Sequence, residues 1–554
     1  MNILPRLQLA RDPSITVANL VDELIRRKGD CITSISEEGP FHLSELHDTV
    51  QSLDAFLRQT VHLQPGQPVA IYRTNTRRCL HWFLAIIRAG GIAVPLNPQL
   101  SRTELQRILR ESGTEILITD QTTFNRTIQT RANLPIQTWI DDSDPLSTDN
   151  PIPNTEGFLR PTATSQTFPP TTINPAATIA VFHTSGTSGF PKGAALSSRA
   201  LLGARSTTVL ASLFLGPKDL ALVALPWSHI MAVSIALNGL IAGIPGCFLN
   251  RFDVAGALDL VERLQITTFV GVPEMFARLV NSSPSPARLA TIRVWLSASD
   301  HLPSEVRQRL RKFGAFFRLP KWLPGSRRIP SVILNGYGMV ELGSLAMMGI
   351  DLSFAPGSGD LCFPVPPFQI RIADEHNRPV PANVTGECQI RRRGLKPHYW
   401  NETQKEKQPS STEPLLTPDG WLRTGDLATR NRLGLIRLTG RIKDVIKSGG
   451  YSVYVRELEE ALLAHPAVAR AAAFGLPHAE KGEIPAAAVE LHASNEATEE
   501  DLITWSRQHL AAYKSPRHIW IVEALPQNHN GKLLRQALRE QYSQAETNPP
   551  THPA

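Results

Sequence analysis

The apolar positions of the first third of the chain alternate between two periods. Short apolar runs at Pro68–Tyr72, Ile92–Pro95 and Glu115–Thr119 read as buried strands. Between them, Arg77–Ala89 and Ser101–Ser112 repeat their apolar residues at helical spacing, as does Val17–Arg27. Ser101 with Glu104 three residues later is the signature of a capping box. Strands and helices alternating on this scale predict βαβ units around a parallel sheet. The pattern lapses over residues 139–175. That stretch opens with Trp139-Ile140-Asp141-Asp142-Ser143-Asp144 and continues through Pro151, Pro153, Pro161, Pro169, Pro170 and Pro175, which argue against a regular helix. A long exposed connection is expected there.

The alternation resumes with a strand at Ala176–Phe182, a helix over 253–264 and a strand at Thr268–Val272. A helix carrying Phe276, Leu279 and Val280 follows, then a strand at Ile292–Leu296. From Cys362 the runs shorten to strands at Phe368–Ala373, Gly386–Arg391 and Leu435–Thr439, a β-rich subdomain. A last α/β unit begins near Asp444, with helices at Arg456–Ala464 and Glu499–Leu510. Ile230–Leu249 has twenty residues without a charge, enough to span a bilayer. Asn238, its glycines and Pro245 instead favour a buried helix, a Gly-Pro turn and a strand. The fold class is α/β. A large domain (1–443) comprises two α/β subdomains to about residue 361 and a β-rich subdomain over about 362–443. A small α+β domain (444–540) and a disordered polar tail (541–554) complete the chain.

Composition narrows the function. With 554 residues and 42% hydrophobic content the chain fills sizeable cores and is not a disordered polymer. The net charge of 57 − 50 = +7 suits anionic small molecules and is too diffuse for nucleic acid. Five scattered cysteines have neither metal-ligand spacing nor a disulfide framework, which favours a reducing, cytoplasmic setting. The N-terminus lacks the apolar run of a secretory signal.

The strongest chemical signal is His183-Thr184-Ser185-Gly186-Thr187-Ser188-Gly189-Phe190-Pro191-Lys192-Gly193, directly after a predicted strand. Three glycines allow tight turns, four hydroxyls and several N–H groups can surround phosphoryl oxygens, and Lys192 adds positive charge. The run lacks the Gly-Lys-Ser/Thr order of a Walker A loop. It resembles the loop of the acyl-adenylate-forming superfamily, which includes acyl-CoA synthetases, peptide-synthetase adenylation domains and luciferases. Four further motifs follow in the family's order, and the resemblance covers roughly residues 15–540.

In Asn335-Gly336-Tyr337-Gly338-Met339-Val340-Glu341, Tyr337 offers a flat face to a purine and Glu341 a carboxylate to Mg²⁺. Read alone, the glycines suggest a turn. The family has a threonine where this chain has Val340, which keeps the branched shape and loses a hydroxyl donor. The resemblance implies that Asp426, in Thr424-Gly425-Asp426-Leu427, holds the ribose, that Arg441 contacts ribose or phosphate, and that Asp444 is the hinge of a mobile C-terminal domain. Lys447-Ser448-Gly449-Gly450 resembles the thioester-forming segment of CoA ligases, although Val455 stands in place of a usual proline. Lys532, in Asn530-Gly531-Lys532, matches the lysine that reaches the carboxylate and α-phosphate. His229, in Leu225-Pro226-Trp227-Ser228-His229, resembles the segment shaping the acyl and thiol channels. By family position the acid pocket involves Trp227, His229, Ile230, Val270, Gly271 and Ser297 to His301.

The resemblance thus implies ATP, Mg²⁺ and CoA, with two steps: a carboxylic acid becomes acyl-AMP with release of pyrophosphate, then passes to CoA. No Asp or Glu lies between Leu225 and Gly246, so a fatty or aryl acid is favoured over an α-amino acid. Two alternatives stay open. A separate carrier protein, supplied in trans, replaces CoA; or the chain binds nucleotide with little catalysis, as the loss of a hydroxyl at Val340 allows. Residues 318–330, with Arg318, Lys321, Arg327 and Arg328 and no acid, form a basic loop. It is either an ordinary exposed loop or a contact for a carrier, CoA phosphates or a membrane surface.

Overall fold

The computed structural model describes residues 8–9, 12–36, 39–129, 131–143, 157–162, 166–184, 192–203, 215–318, 328–351, 360–400, 415–448, 451–478, 480–492, 496–527 and 533–547. The chain forms two compact units: Met1–Gln369 with Ile390–Leu422, and Ile370–Gln389 with Arg423–Ala554.

The first unit holds two sheets. One runs in the order Phe158–Leu159, Thr138–Asp141, Ile116–Thr119, Pro68–Ile71, Ile92–Pro95, Thr178–Thr184, Lys192–Ser197. All its pairs are parallel except the last, which is antiparallel. The other contains a parallel block, Gly246–Phe248, Ala221–Val223, Thr268–Gly271, Val294–Ala298 and Val332–Met339, extended by antiparallel Ser344–Asp351 and Cys362–Pro364. Several helix boundaries follow local signals. At Arg102–Ser112 the Ser101 hydroxyl accepts from Glu104 N–H, and Glu104 Oε2 accepts from Ser101 N–H at 2.8 Å. Gly113 closes that helix in the left-handed region, φ 66°. Asp253 caps Val254–Leu264, its side chain accepting from Gly256 N–H.

The uncharged stretch divides as expected into helix Ile230–Ala242, left-handed Gly243 and strand Gly246–Phe248. Val233, Leu237 and Ile241 join Trp82, Phe83 and Ile86 of helix Arg78–Arg88 in one core. Each such side chain contributes about 1.5–3 kcal/mol on burial. No helix among the described residues is long and apolar enough to cross a membrane.

The expected exposed connection is in part sheet. Thr138–Asp141 pairs in parallel with Ile116–Thr119, and Trp139 is buried against Phe124 and Phe158. The acidic run that suggests solvent is neutralised: Asp142 pairs with Arg73 at 2.6 Å and with Arg78, and Asp141 with Arg160 at 2.8 Å.

In the second unit, Gln369–Ala373, Gly386–Arg391, Leu422–Arg430 and Ile436–Arg441 lie side by side. A separate five-stranded sheet comprises Tyr451–Tyr454, Val445–Ser448, Gly482–Leu491, Val468–His478 and His518–Ile521. Its two apolar clusters draw on residues from Ile446 onward. Compactness therefore divides the chain before residue 443, because Leu422–Arg430 and Ile436–Arg441 group with the later residues, while the sheet beginning at Val445 keeps its own core. The helix Arg535–Thr547 takes in residues 541–547, expected to be tail; the rest of that tail lies outside the described residues. The ends of the basic loop pair as Phe317–Arg318 with Arg328–Ile329, and 319–327 lie outside the described residues.

Candidate active site

The Gly/Ser/Thr run is the connection of a β-hairpin. Thr178–Thr184 and Lys192–Ser197 pair antiparallel, with His183 opposite Gly193 and Thr184 opposite Lys192. The Thr184 hydroxyl donates to the Lys192 carbonyl at 3.3 Å. The pairing fixes both ends of the loop, while Ser185, Gly186, Thr187, Ser188 and Gly189 lie outside the described residues.

Asn335, Gly336, Tyr337 and Gly338 form no turn; they end the strand Val332–Met339. Their glycines serve close strand pairing. A Cβ at Gly336 would stand 2.6 Å from Leu345 Cδ1, and one at Gly338 2.6 Å from the Ser344 carbonyl oxygen. A register shift between Tyr337 and Gly338 re-aims the side chains there. The next turn, Val340–Leu342, lies against both strands of the hairpin. Gly343, φ 67°, lets this turn press on the helix Ser198–Leu201: a Cβ would stand 2.8 Å from Ala200 Cβ. Glu341 is buried there, and Val340 packs on the core of the unit.

Tyr399 joins these two features, and the sequence reading missed it. Its hydroxyl donates to Glu341 Oε1 at 2.8 Å, and the Lys192 ammonium lies over its ring, 5.1 Å from the centroid. Lys192 and Glu341, 149 positions apart in the chain, thus share one tyrosine.

His229 stands beyond the carboxyl end of Ala221–Val223, and Ser299 beyond that of Val294–Ala298, where open α/β sheets place ligands. His229 caps Ile230–Ala242: Nδ1 accepts from Met231 N–H at 3.3 Å, and Nε2 lies 3.3 Å from the Ser299 hydroxyl. Burial pushes this imidazole down to about 4. The ring is therefore neutral at pH 7, and an accepting Nδ1 leaves the proton on Nε2, facing Ser299. Ser299 carries φ 80°, rare outside glycine and typical of strain held at functional sites. Trp227 is buried against Phe248, with ring centroids 4.7 Å apart. Val270, Gly271, Ser297 and Ala298 are buried on adjacent strands, and Gly271 pairs with Ser297. Around Val270 an apolar group gathers Met231, Ile235, Phe248, Val272, Met275 and Leu296.

In the second unit Asp426 and Arg441 are direct cross-strand partners, with Arg441 Nε 3.1 Å from Asp426 Oδ1. Asp426 is 8% exposed, and its N–H donates to the Thr424 hydroxyl at 3.0 Å. Asp444 ends the turn Ile442–Asp444 and lies 3.7 Å from Arg535, whose guanidinium also grips Glu459 at 2.7 and 2.9 Å. Lys447 N–H donates to Glu483 Oε2 at 2.9 Å. Gly449, Gly450 and Lys532 lie outside the described residues.

Among the described residues no three carboxylate, histidine or cysteine side chains gather as a metal cage. A single buried carboxylate such as Glu341 suits Mg²⁺ held jointly with substrate phosphates.

Residues 26–400 match the family model described as AMP-binding enzyme, and residues 457–532 match that of the AMP-binding enzyme C-terminal domain. The chain is 28% identical to a 4-coumarate–CoA ligase of Pinus taeda over 486 residues, 86% of this chain and 85% of the relative. It is also 28% identical to the long-chain-fatty-acid–CoA ligase of Thermus thermophilus over 489 residues, 86% of each. Its fold superposes on ATP-bound MatB from Rhodopseudomonas palustris with a TM-score of 0.77 and 25% identity, covering 96% of this chain and 99% of that one. A match that spans residues 26–400 and resumes at 457 makes this protein a member of the AMP-binding enzyme family, an AMP-forming enzyme of the ligase type.

Proposed function

We propose that the protein activates an apolar carboxylic acid, fatty or aryl, as its acyl-adenylate and transfers the acyl group to CoA. The observation that carries this reading is the juxtaposition of Lys192, at the end of the hydroxyl-rich hairpin loop, with the buried Glu341 carboxylate through Tyr399. Cation and carboxylate at one place are what a metal–triphosphate substrate requires.

In the first step a carboxylate oxygen of the acid attacks the α-phosphorus of ATP, and the bond to the β-phosphate oxygen breaks to release pyrophosphate. Loop residues 184–189 and Lys192 hold the β and γ phosphates, Tyr337 stacks on adenine, and Asp426 and Arg441 hold the ribose. Glu341 would hold a Mg²⁺ that neutralises phosphoryl charge. Lys532 stabilises the charge shared by carboxylate and α-phosphate. In the second step the sulfur of CoA attacks the acyl carbonyl, AMP leaves, and the thiol proton is released. Lys447, Gly449 and Gly450 serve this step, brought in by rotation about Asp444. The neutral His229 orients the acyl and thiol channels through Ser299.

The apolar group around Val270 supports an apolar acid, and the absence of Asp or Glu between Leu225 and Gly246 argues against pairing with a substrate amine. CoA as acceptor is supported by relatives named as CoA ligases of coumarate and of long-chain fatty acids. Free, scattered thiols support a reducing, cytoplasmic setting. The test is acid-dependent pyrophosphate release over a panel of fatty and aryl acids, with and without CoA. Formation of acyl-CoA and AMP is expected; folded protein that releases no pyrophosphate with any acid would sink the reading. Transfer to an acidic carrier protein at concentrations where CoA yields nothing would replace CoA as acceptor.

A further inference from the structure

Tyr399 is held in place from both sides. Its backbone bridges Ala194, on the second strand of the loop hairpin, and Ala195 N–H donates to the His398 carbonyl at 3.1 Å. On the other side the Trp400 indole N–H donates to the Ser112 carbonyl at 3.0 Å, at the end of the helix Arg102–Ser112, which joins two strands of the same seven-stranded sheet. The ring position is thus set by the scaffold rather than by the loop. From there the hydroxyl reaches Glu341 Oε1, and the ring presents its negative face to the Lys192 ammonium. A glutamate on a one-turn helix has three side-chain torsions to fix. A donor on one oxygen selects a rotamer and commits that oxygen.

We propose that Tyr399 is a positioning residue for the metal–nucleotide substrate. Its hydroxyl fixes the orientation in which Glu341 meets the metal, and its ring parks the Lys192 ammonium at the phosphate end of the site, so that Lys192 and the carboxylate are set as one unit. The proposal rests on the roles given above to Glu341 and Lys192.

Tyr399→Phe separates the two contacts, because it keeps the ring under Lys192 and removes the hydroxyl. Two readouts are required. In acid-dependent ATP–pyrophosphate exchange, the Mg²⁺ concentration at half-saturation rises about tenfold, while kcat at saturating Mg²⁺ stays close to wild type. In electron paramagnetic resonance titrations without any acid, Mn²⁺ binding to the protein–ATP complex weakens by the same factor. Tyr399→Leu also removes the ring and raises the KM for ATP further without a second shift in the metal midpoint. Thermal melting of Tyr399→Phe stays within about 2 °C of wild type.

A Tyr399→Phe protein that melts lower but keeps the wild-type metal midpoint in both assays has lost only packing, and overturns the proposal. If no acid supports exchange, the functional reading fails by itself. The Mn²⁺ titration then still decides the role of Tyr399, with equal binding in both proteins refuting it.

Discussion

The substitution Val340→Thr tests why this chain has valine where its family has a hydroxyl. Val340 opens the one-turn helix that carries Glu341, and its side chain is partly buried against the core of the first unit. Threonine keeps the branched shape, removes one methyl from that packing and adds a donor next to Glu341, where the metal–nucleotide substrate is proposed to bind. The lost methyl costs about 1 kcal/mol of stability, which lowers Tm by only about 1 °C in a unit this large. A new hydrogen bond to a charged group contributes about 1.5–3 kcal/mol. If that bond forms in the transition state for adenylation, the rate rises about tenfold to a hundredfold. ATP–pyrophosphate exchange with fatty and aryl acids measures the gain, and thermal melting measures the cost. Val340→Thr is therefore expected to be less stable and faster. A variant that melts lower and exchanges no faster refutes the reasoning: the pocket has then been rebuilt around valine. Exchange absent from both proteins, with ATP still bound, would contradict adenylation of these acids.

Three further outcomes follow from the same geometry. Asp426→Asn keeps the shape of the side chain and removes the charge that pairs with Arg441; because the arginine side chain is 37% exposed, Tm changes by less than about 2 °C, while the KM for ATP rises about tenfold in steady-state assays. Lys532→Ala slows acyl-adenylate formation much more than acyl transfer from supplied acyl-adenylate, and equal loss in the two half-reactions rejects its assignment. Burial lowers both His183 and His229 to about 4, from an unfolded value near 6.5, so the unfolded chain binds more protons between those limits. Stability is then level above about pH 6.5 and falls as the pH drops toward 4, and melting temperatures at pH 7.5 and 5.0 check the sign. His229→Gln removes part of that slope.

Local signals decided which elements were legible in the sequence. The helix Arg102–Ser112 carries its start in Ser101 and Glu104 and its stop in Gly113, and the strand Ile92–Pro95 is a short apolar run that no other element can use. Thr138–Asp141 escaped because its carboxylates look solvated in isolation. Their partners, Arg73, Arg78 and Arg160, are distant in sequence, so the neutralisation that permits burial is a tertiary fact. Glycine at 336 and 338 read as turn chemistry, whereas it answers the close approach of Leu345 and Ser344 across a strand pair. The loop, Glu341, Asp426 and Arg441 were visible as motifs, and the cross-strand register explains the spacing of the last two. Tyr399 had no signal of its own, and Ser299 was reached only as part of the family range Ser297 to His301. One owes its place to a contact across 58 positions and the other to a backbone angle.

The central claim, that a carboxylate oxygen of the substrate attacks the α-phosphorus of ATP, is tested most directly with an acid labelled with ¹⁸O in its carboxyl group. A single round of turnover with CoA, followed by mass analysis of the nucleotide and phosphate products, reports which bond formed. The account predicts AMP carrying one labelled oxygen, unlabelled pyrophosphate, and an acyl-CoA that keeps one label. Label in inorganic phosphate with ADP as the nucleotide product, or AMP without label, would contradict it.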